Sequence, residues 1–501
     1  MKKFWVTLTT TLLLYANTTF ASEGMTLTLD DAIALALKNN RLIEQSEFDR
    51  EAAKWNLSAA RRSSGPTFTW SSSLNHIGGR YYNSFRRYHD QAKFESKYNP
   101  EVNPHLYPSY DNENVNTLNL SMPLYTGGRL EHRRESARYE LNAADLNLEN
   151  ARQTVKYQTA AAYYQVLQRK SLVGVQEEAV HLLQEHLKNV VVQYEVGTVA
   201  KSDVLATNVQ LANSQQNLNT AFGNYQIAVA QLNNLLGLPV DTEIAADLEI
   251  NFVRYNLTEA DCLEYALKNR PDGVASLYSV KSAKALTAAA KSGYRPNINA
   301  VISGNESGEG LFKADHNGER WAIGLEMSWN IFDNGVTAAQ VEQYKATEKK
   351  FLSLNRQQLE TIELEVHSAY INLKTAEKNI LTTAAAVDKA EEEFSIAQIR
   401  YVEGVDTNLN VMNAQEKVVE TRNNYYTALY NYNTGRAQLE KAMGVPVVID
   451  ATLYRLAEQD GKNSVQALKE STVVGQHNTP DAYRFTEPFE KNQSQTESHQ
   501  K

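Results

Sequence analysis

Two stretches of this chain, Gly128 to Val196 and Gly335 to Glu403, each run for 69 residues without a proline. Helix formers fill both, and proline (11) and glycine (23) are scarce in the whole 501-residue sequence. Such a run has one regular outcome, an α-helix, and at 1.5 Å per residue it is about 100 Å long. That is far more than a globular core needs. Both runs stop in the same way. QYEVGTVAKSDV (193–204) closes the first and RYVEGVDTNLNV (400–411) the second. Each has a glycine three residues after a tyrosine: Tyr194 with Gly197, Tyr401 with Gly404. A glycine just past a helix reads as a left-handed C-cap, so a second helix should turn back from each.

The two turns lie 207 residues apart, and so do MPLYTGG (122–128) and WNIFDNG (329–335), and LGLPV (236–240) and MGVPV (443–447). The chain is a duplication. ALKN at 36–39 recurs at 266–269, an offset of 230, so 23 extra residues (230 − 207) fall between 40 and 120 of the first half. The first half, 22–240, reads as helix 30–62, strands 66–77 and 114–125, long helix 128–196 and helix 202–236. The second, 259–447, reads as helix 259–292, strands 296–304 and 320–332, long helix 335–403 and helix 409–443. Asp30 and Thr258 are the candidate N-caps of the opening helices. Residues 241–258 link the halves, 448–470 follow the second, and the polar tail 471–501 is expected to be disordered.

The long helices carry narrow apolar seams. Ile362, Val366, Ala369, Leu373, Ala376 and Ile380 follow a heptad spacing, and Leu172, Val175, Ala179, Leu183, Leu187, Val190 and Tyr194 nearly do. Glu391-Glu392-Glu393 reads as a solvated helix face.

The strands alternate strictly. Phe68, Trp70 and Leu74 face one way between Thr69, Ser71 and Ser73; Trp321, Ile323, Leu325 and Met327 do so between Ala322, Gly324 and Glu326. Strands of this length, apolar on one face and small or polar on the other, suit a transmembrane β-barrel with a wet lumen; a soluble sheet lying on a core is the competing reading. The N-terminus agrees with export. Lys2 and Lys3 precede an apolar stretch and Thr19-Phe20-Ala21, a signal peptide over 1–21 with cleavage after Ala21. The lone cysteine, Cys262, allows no internal disulfide. Four strands cannot close a barrel, and open edges in lipid are forbidden, so several chains must share one.

LTLDDAIALALKNN (27–40), MPLYTGGRL (122–130), YEVGTVAKSDV (194–204) and LNNLLGLP (232–239), with their second-half echoes, resemble the TolC family of outer-membrane efflux and secretion channels. The resemblance covers about residues 25 to 447. It implies a mostly α fold with a transmembrane β-barrel. Three chains with four strands each would form twelve strands, continued by a long α-helical coiled-coil barrel through the periplasm. Residues 241–258 and those after Pro446 would form an equatorial belt. The partners implied are the homotrimer, a periplasmic adaptor, an inner-membrane pump and outer-membrane lipid.

The resemblance also places the closed aperture at the two glycine turns. Val196, Gly197, Thr198, Glu403, Gly404 and Val405 match the adaptor-contact positions; the plain alternative is a pair of helix C-caps. In the family a tyrosine and an arginine on the second-half turn bind an aspartate on the first, and two aspartate rings select cations. Tyr401 and Asp203 match the first link. Asp406 stands at the arginine position and Asn410 and Asn413 at the ring positions, all departures. Lys201, two residues before Asp203, suggests an exchanged pair with Asp406 between neighbouring helix pairs; otherwise both are solvated tip residues.

Nothing asks for catalysis, a cofactor or a metal. There is no paired-histidine zinc motif, no phosphate loop and no cysteine pair. His181 and His186 are five apart, on different helix faces, and Gly304, Gly308 and Gly310 read as a loop tip. The net charge of −9 argues against nucleic acid. The loop 78–113, with Tyr81, Tyr82, Tyr88, Tyr98, Tyr107, Tyr110, Arg80, Arg86 and Arg87, is expected at the cell surface, partly covering the pore; the plain alternative is a loop that only packs on its neighbours. The reading from another class is a secreted or surface-attached coiled-coil structural or adhesive protein without a pore.

Overall fold

A computed structural model of the chain describes residues 25–76, 80–102, 112–245, 252–309 and 320–447. The signal peptide, the segment 448–470, the tail, Tyr107, Tyr110 and Gly310 lie outside the described residues.

Each half opens with two helices, not one. In the first, α1 (Leu29–Asn39) is followed by α2 (Arg41–Arg62). In the second, α6 (Glu259–Asn269) is followed by α7 (Pro271–Ala290) and a single 3-10 turn. The continuous helices expected over 30–62 and 259–292 are therefore corrected. Pro271 has no N–H to continue a helix from α6 and sits at the N-terminus of α7. At the same place in the first half Asn40 accepts from the Leu42 N–H (2.9 Å), starting α2 afresh. Thr28, not Asp30, caps α1 by accepting from the Asp31 N–H, and Thr258 caps α6 with Asp261 in a reciprocal box.

Strand β1 (Met25–Thr26) pairs in parallel with β4 (Ile244–Ala245). The larger sheet contains β2 (Thr67–His76), β3 (Asn112–Tyr125), β5 (Asn297–Glu309) and β6 (Arg320–Ser328), antiparallel in the order β2-β3-β5-β6. Gly304 and Gly308 belong to β5, paired with Leu118 and Asn114, because β5 runs on beside the long β3; the loop-tip reading fails for them. The register makes whole rows alike. Phe68, Leu120, Ile302 and Ile323 form one row across all four strands, and Thr69, Asn119, Ser303 and Ala322 form the next. Among the described residues the apolar rows have nothing over them: Phe68, Trp70, Ile323, Leu325 and Trp321 are exposed, the last by 77%. Strands β2 and β6 are the two sheet edges. Among the described residues no helix is long and apolar enough to cross a membrane.

Between β2 and β3 the expected loop holds a helix, α3 (Arg80–Glu95), with Tyr88, Phe94 and Tyr98 exposed in and just after it. The long helices are α4 (Arg129–Glu195) and α8 (Val336–Val402), 67 residues each, and α5 (Lys201–Leu236) and α9 (Asn408–Met443) return from them, 36 residues each. Neighbours follow the order α2-α4-α7-α8 near the sheet and α5-α4-α9-α8 near the turns. The α8 seam is wholly buried, from Ile362 to Ile380, against α9 residues such as Leu429, Tyr432 and Leu439. Outer edges stay open: Leu364, Leu381 and Ile399 on α8, and Val209 and Phe222 on α5, are exposed.

Candidate functional site: the helix tips

Both hairpin turns are built alike. Past α4, Thr198 N–H donates to the Gln193 carbonyl (2.9 Å) while Gly197 holds φ 82°; past α8, Val405 N–H donates to the Arg400 carbonyl (2.9 Å) while Gly404 holds φ 74°. This six-residue closure needs a left-handed residue, and a Cβ at either glycine would touch nothing, so backbone conformation alone selects glycine. Val196, Gly197, Thr198, Glu403, Gly404 and Val405 are all exposed. With Val192, Leu205, Val402 and Leu409 they make an apolar, uncovered end.

Behind the turns lies a small core of Val190, Ala397, Tyr401, Val411 and Ala414. Tyr401 is 5% exposed, and its ring stands 5.2 Å from that of His186. Its hydroxyl is buried and has no hydrogen-bond partner among the described residues, so the Tyr401–Asp203 bond is not made within one chain. Burial, and then the Asp203 charge, push the phenol's pKa up. Among the described residues no ion pair joins Lys201 to Asp406 within the chain. Asp406 instead closes its own turn, accepting from the Thr407 N–H (2.8 Å) and the Asn410 side chain (2.5 Å). Those bonds, the Asn410 one first, hold its carboxyl below the usual range. Asn410 and Asn413 are exposed on α9.

Reading the sequence missed a polar cluster one turn behind the tip. Asn408 donates from Nδ2 to the Asp203 carbonyl (3.2 Å) and to Thr207 Oγ1 (2.9 Å). Its Oδ1 meets His186 Nε2 at 2.6 Å. His186 lies on the seam between Leu183 and Val190, and a polar residue on an apolar seam was the available signal. Burial lowers its pKa, opposed by the bond to Asn408. His181 is exposed beside Glu185, and among the described residues no group of three metal-ligating side chains occurs. The Glu391–Glu393 run is not simply solvated. Arg422 of α9 binds Glu391 (2.6 Å) and Glu178 of α4, Lys389 binds Glu392 (2.8 Å), and Lys417 of α9 binds Glu393 (3.2 Å). Two of the three carboxylates thus tie α8 to α9.

The sequence pattern of the family described as outer membrane efflux protein matches residues 32–238 and 262–445, well over half of the chain. The solvent efflux pump outer membrane protein SrpC of Pseudomonas putida is 25% identical over 253 residues, 50% of this chain and 53% of that protein. The alkaline protease secretion protein AprF of Pseudomonas aeruginosa is 23% identical over 428 residues, 84% of this chain and 85% of that one. The crystal structure of the Campylobacter jejuni CmeC outer membrane channel has the same fold, with a TM-score of 0.71 at 19% identity over 87% of this chain and 89% of that chain. The chain spans about half the length of the first of these relatives.

Proposed function

The chain belongs to the outer membrane efflux protein family, and from that premise we propose that three copies build one exit duct. Twelve strands, four from each chain, cross the outer membrane, and the paired helices carry the duct through the periplasm. The duct receives its cargo from an inner-membrane pump through a periplasmic adaptor that docks on the exposed tips, Val196–Thr198 and Glu403–Val405. Tyr401, Asp203, Lys201, Asp406, Asn410 and Asn413 surround the end that opens and closes. Transport of this kind needs no catalytic step or cofactor from the chain.

The observation that carries this reading is the four-stranded sheet. Its apolar rows are uncovered and both its edges are open. Each unpaired edge N–H or C=O in hydrocarbon costs several kcal/mol, so the sheet has a stable place in a membrane only when β6 of one chain pairs with β2 of the next. A pore-free coiled-coil protein gives the lipid-like face no use.

The test is purification from outer-membrane extracts followed by planar-bilayer recording. A heat-modifiable trimer with steady conductance is expected; a soluble protein without conductance would overturn the reading and restore the scaffold. Drug sensitivity of a deletion strain, set against loss of a secreted protein, separates efflux from secretion.

A further inference from the structure

Asn408 is the first residue of α9, and the helix does not need it there: Thr407 is the N-cap, accepting from the Asn410 N–H. Nor does its own hairpin use its side chain. Asn408 is nonetheless only 5% exposed, and both ends of its amide are spent on the other half of the chain. The Asp203 carbonyl can only accept, so Nδ2 faces it and Oδ1 faces His186. His186 therefore carries its proton on Nε2 and donates it. Thr207, fully buried, completes the set: its hydroxyl accepts from Asn408 and donates to the Asp203 carbonyl (2.8 Å). One amide thus joins α9 to α4 and α5 at the level where the hairpins meet.

We propose that Asn408, with His186 and Thr207, is the fastening that holds the second-half hairpin against the first in the closed tip, and that parting of this amide is the bond-breaking event of opening. The inference rests on the duct reading above, and assigns its closure to residues other than the positions matched by resemblance. Among the described residues, those positions make no side-chain bond between the hairpins: Asp203 takes part only through its backbone carbonyl, the Tyr401 hydroxyl is unpaired, and Asp406 serves its own turn. The fastening is also built to reopen. When Asn408 leaves, the Asp203 carbonyl keeps the Thr207 hydroxyl, and the entering water can serve His186 and the freed amide. No group on the α5 side is stranded. An aspartate could not replace the asparagine, because a carboxylate oxygen would face the Asp203 carbonyl where the amide N–H stood.

The experiment is bilayer conductance of the purified full-length protein and four variants, each first checked as a heat-modifiable trimer. Asn408→Asp and His186→Leu should open the tip, each lost hydrogen bond shifting the balance about fivefold per copy, on the order of a hundredfold for three copies. Thr207→Val, nearly the same shape, should open it partly. His186→Gln, whose amide N–H can still reach Oδ1, should conduct like the wild type; a merely structural histidine would give no such rescue. Trimers of Asn408→Asp and His186→Leu that conduct like the wild type would overturn the proposal. Should Asn408→Asp not assemble, a closed Thr207→Val together with a closed His186→Leu would do so. A protein that conducts in no form, wild type included, would instead bring down the duct reading, and the fastening with it.

Discussion

Tyr401 separates packing from hydrogen bonding at the tip. Its ring packs with His186, Val190, Val411 and Ala414, while its hydroxyl is buried without a partner among the described residues. An unpaired buried hydroxyl costs about 1–3 kcal/mol, so Tyr401→Phe should leave the tip as stable as the wild type or more stable by about 1 kcal/mol. Tyr401→Ala removes the whole ring from the buried cluster behind the turns, which costs about 3–5 kcal/mol. At about 1.4 kcal/mol per tenfold, the lower figure already raises the open population more than a hundredfold for each copy. Conductance of the two trimers reads this directly, with urea unfolding as the control for stability. The expected result is a closed Tyr401→Phe and an open Tyr401→Ala. Equal opening by both would instead mean that the hydroxyl has a partner in the assembled tip, as the resemblance implies for Tyr401 and Asp203.

Lys201→Glu should change conductance by less than about threefold, since an exposed ion pair is worth about 0–1 kcal/mol and none joins Lys201 to Asp406 among the described residues; a wide opening that Asp406→Lys reverses would establish the pair after all. Asn413→Asp adds a ring of exposed carboxylates and should shift the reversal potential toward cations, whereas an unchanged potential would remove Asn410 and Asn413 from the constriction. His186, which faces Tyr401 of α8 and bonds Asn408 of α9, has its pKa lowered from 6.5 by burial behind the turns. The hydrated, open tip therefore binds more protons, and closure weakens as pH falls through about 6.5 and levels off below the closed-state value. Conductance should rise on acidification in the wild type and stay flat in His186→Gln; flat curves in both would contradict this. An epitope tag at Asn99, just past α3, should be reached by antibody on intact cells, and labelling only after permeabilisation would invert the topology.

What the sequence disclosed follows from how each feature is encoded. The seam from Ile362 to Ile380 was legible because heptad spacing and burial are the same fact about a helix. The apolar face of the sheet was legible because alternation puts Phe68, Trp70, Ile323 and Leu325 on one side whatever the pairing. The break at Asn40 was hidden, since an asparagine reads as an interior residue until its side chain is seen accepting from Leu42 and donating to the Leu235 carbonyl (3.1 Å). Pro271 is the corresponding sign in the second half, where it opens α7. Helix α3 was hidden by its composition: its tyrosines and arginines match the pattern of an exposed loop as well as that of a helix. The fastening at Asn408 was out of reach for a different reason. Its partners His186, Asp203 and Thr207 lie more than 200 residues away, and only the packing of the two hairpins brings them together.

In the proposed duct one barrel closes with three chains, each giving β6 to the β2 of its neighbour. The chain's one cysteine, Cys262, is buried, so cysteines introduced along the two edges, at Thr69 or Ser71 of β2 and Ala322 or Gly324 of β6, can be cross-linked without background. Oxidation in outer-membrane preparations should give a denaturation-resistant ladder of one, two and three chains that stops at three. A ladder that runs past three, or chains that never join through these edges, would contradict it.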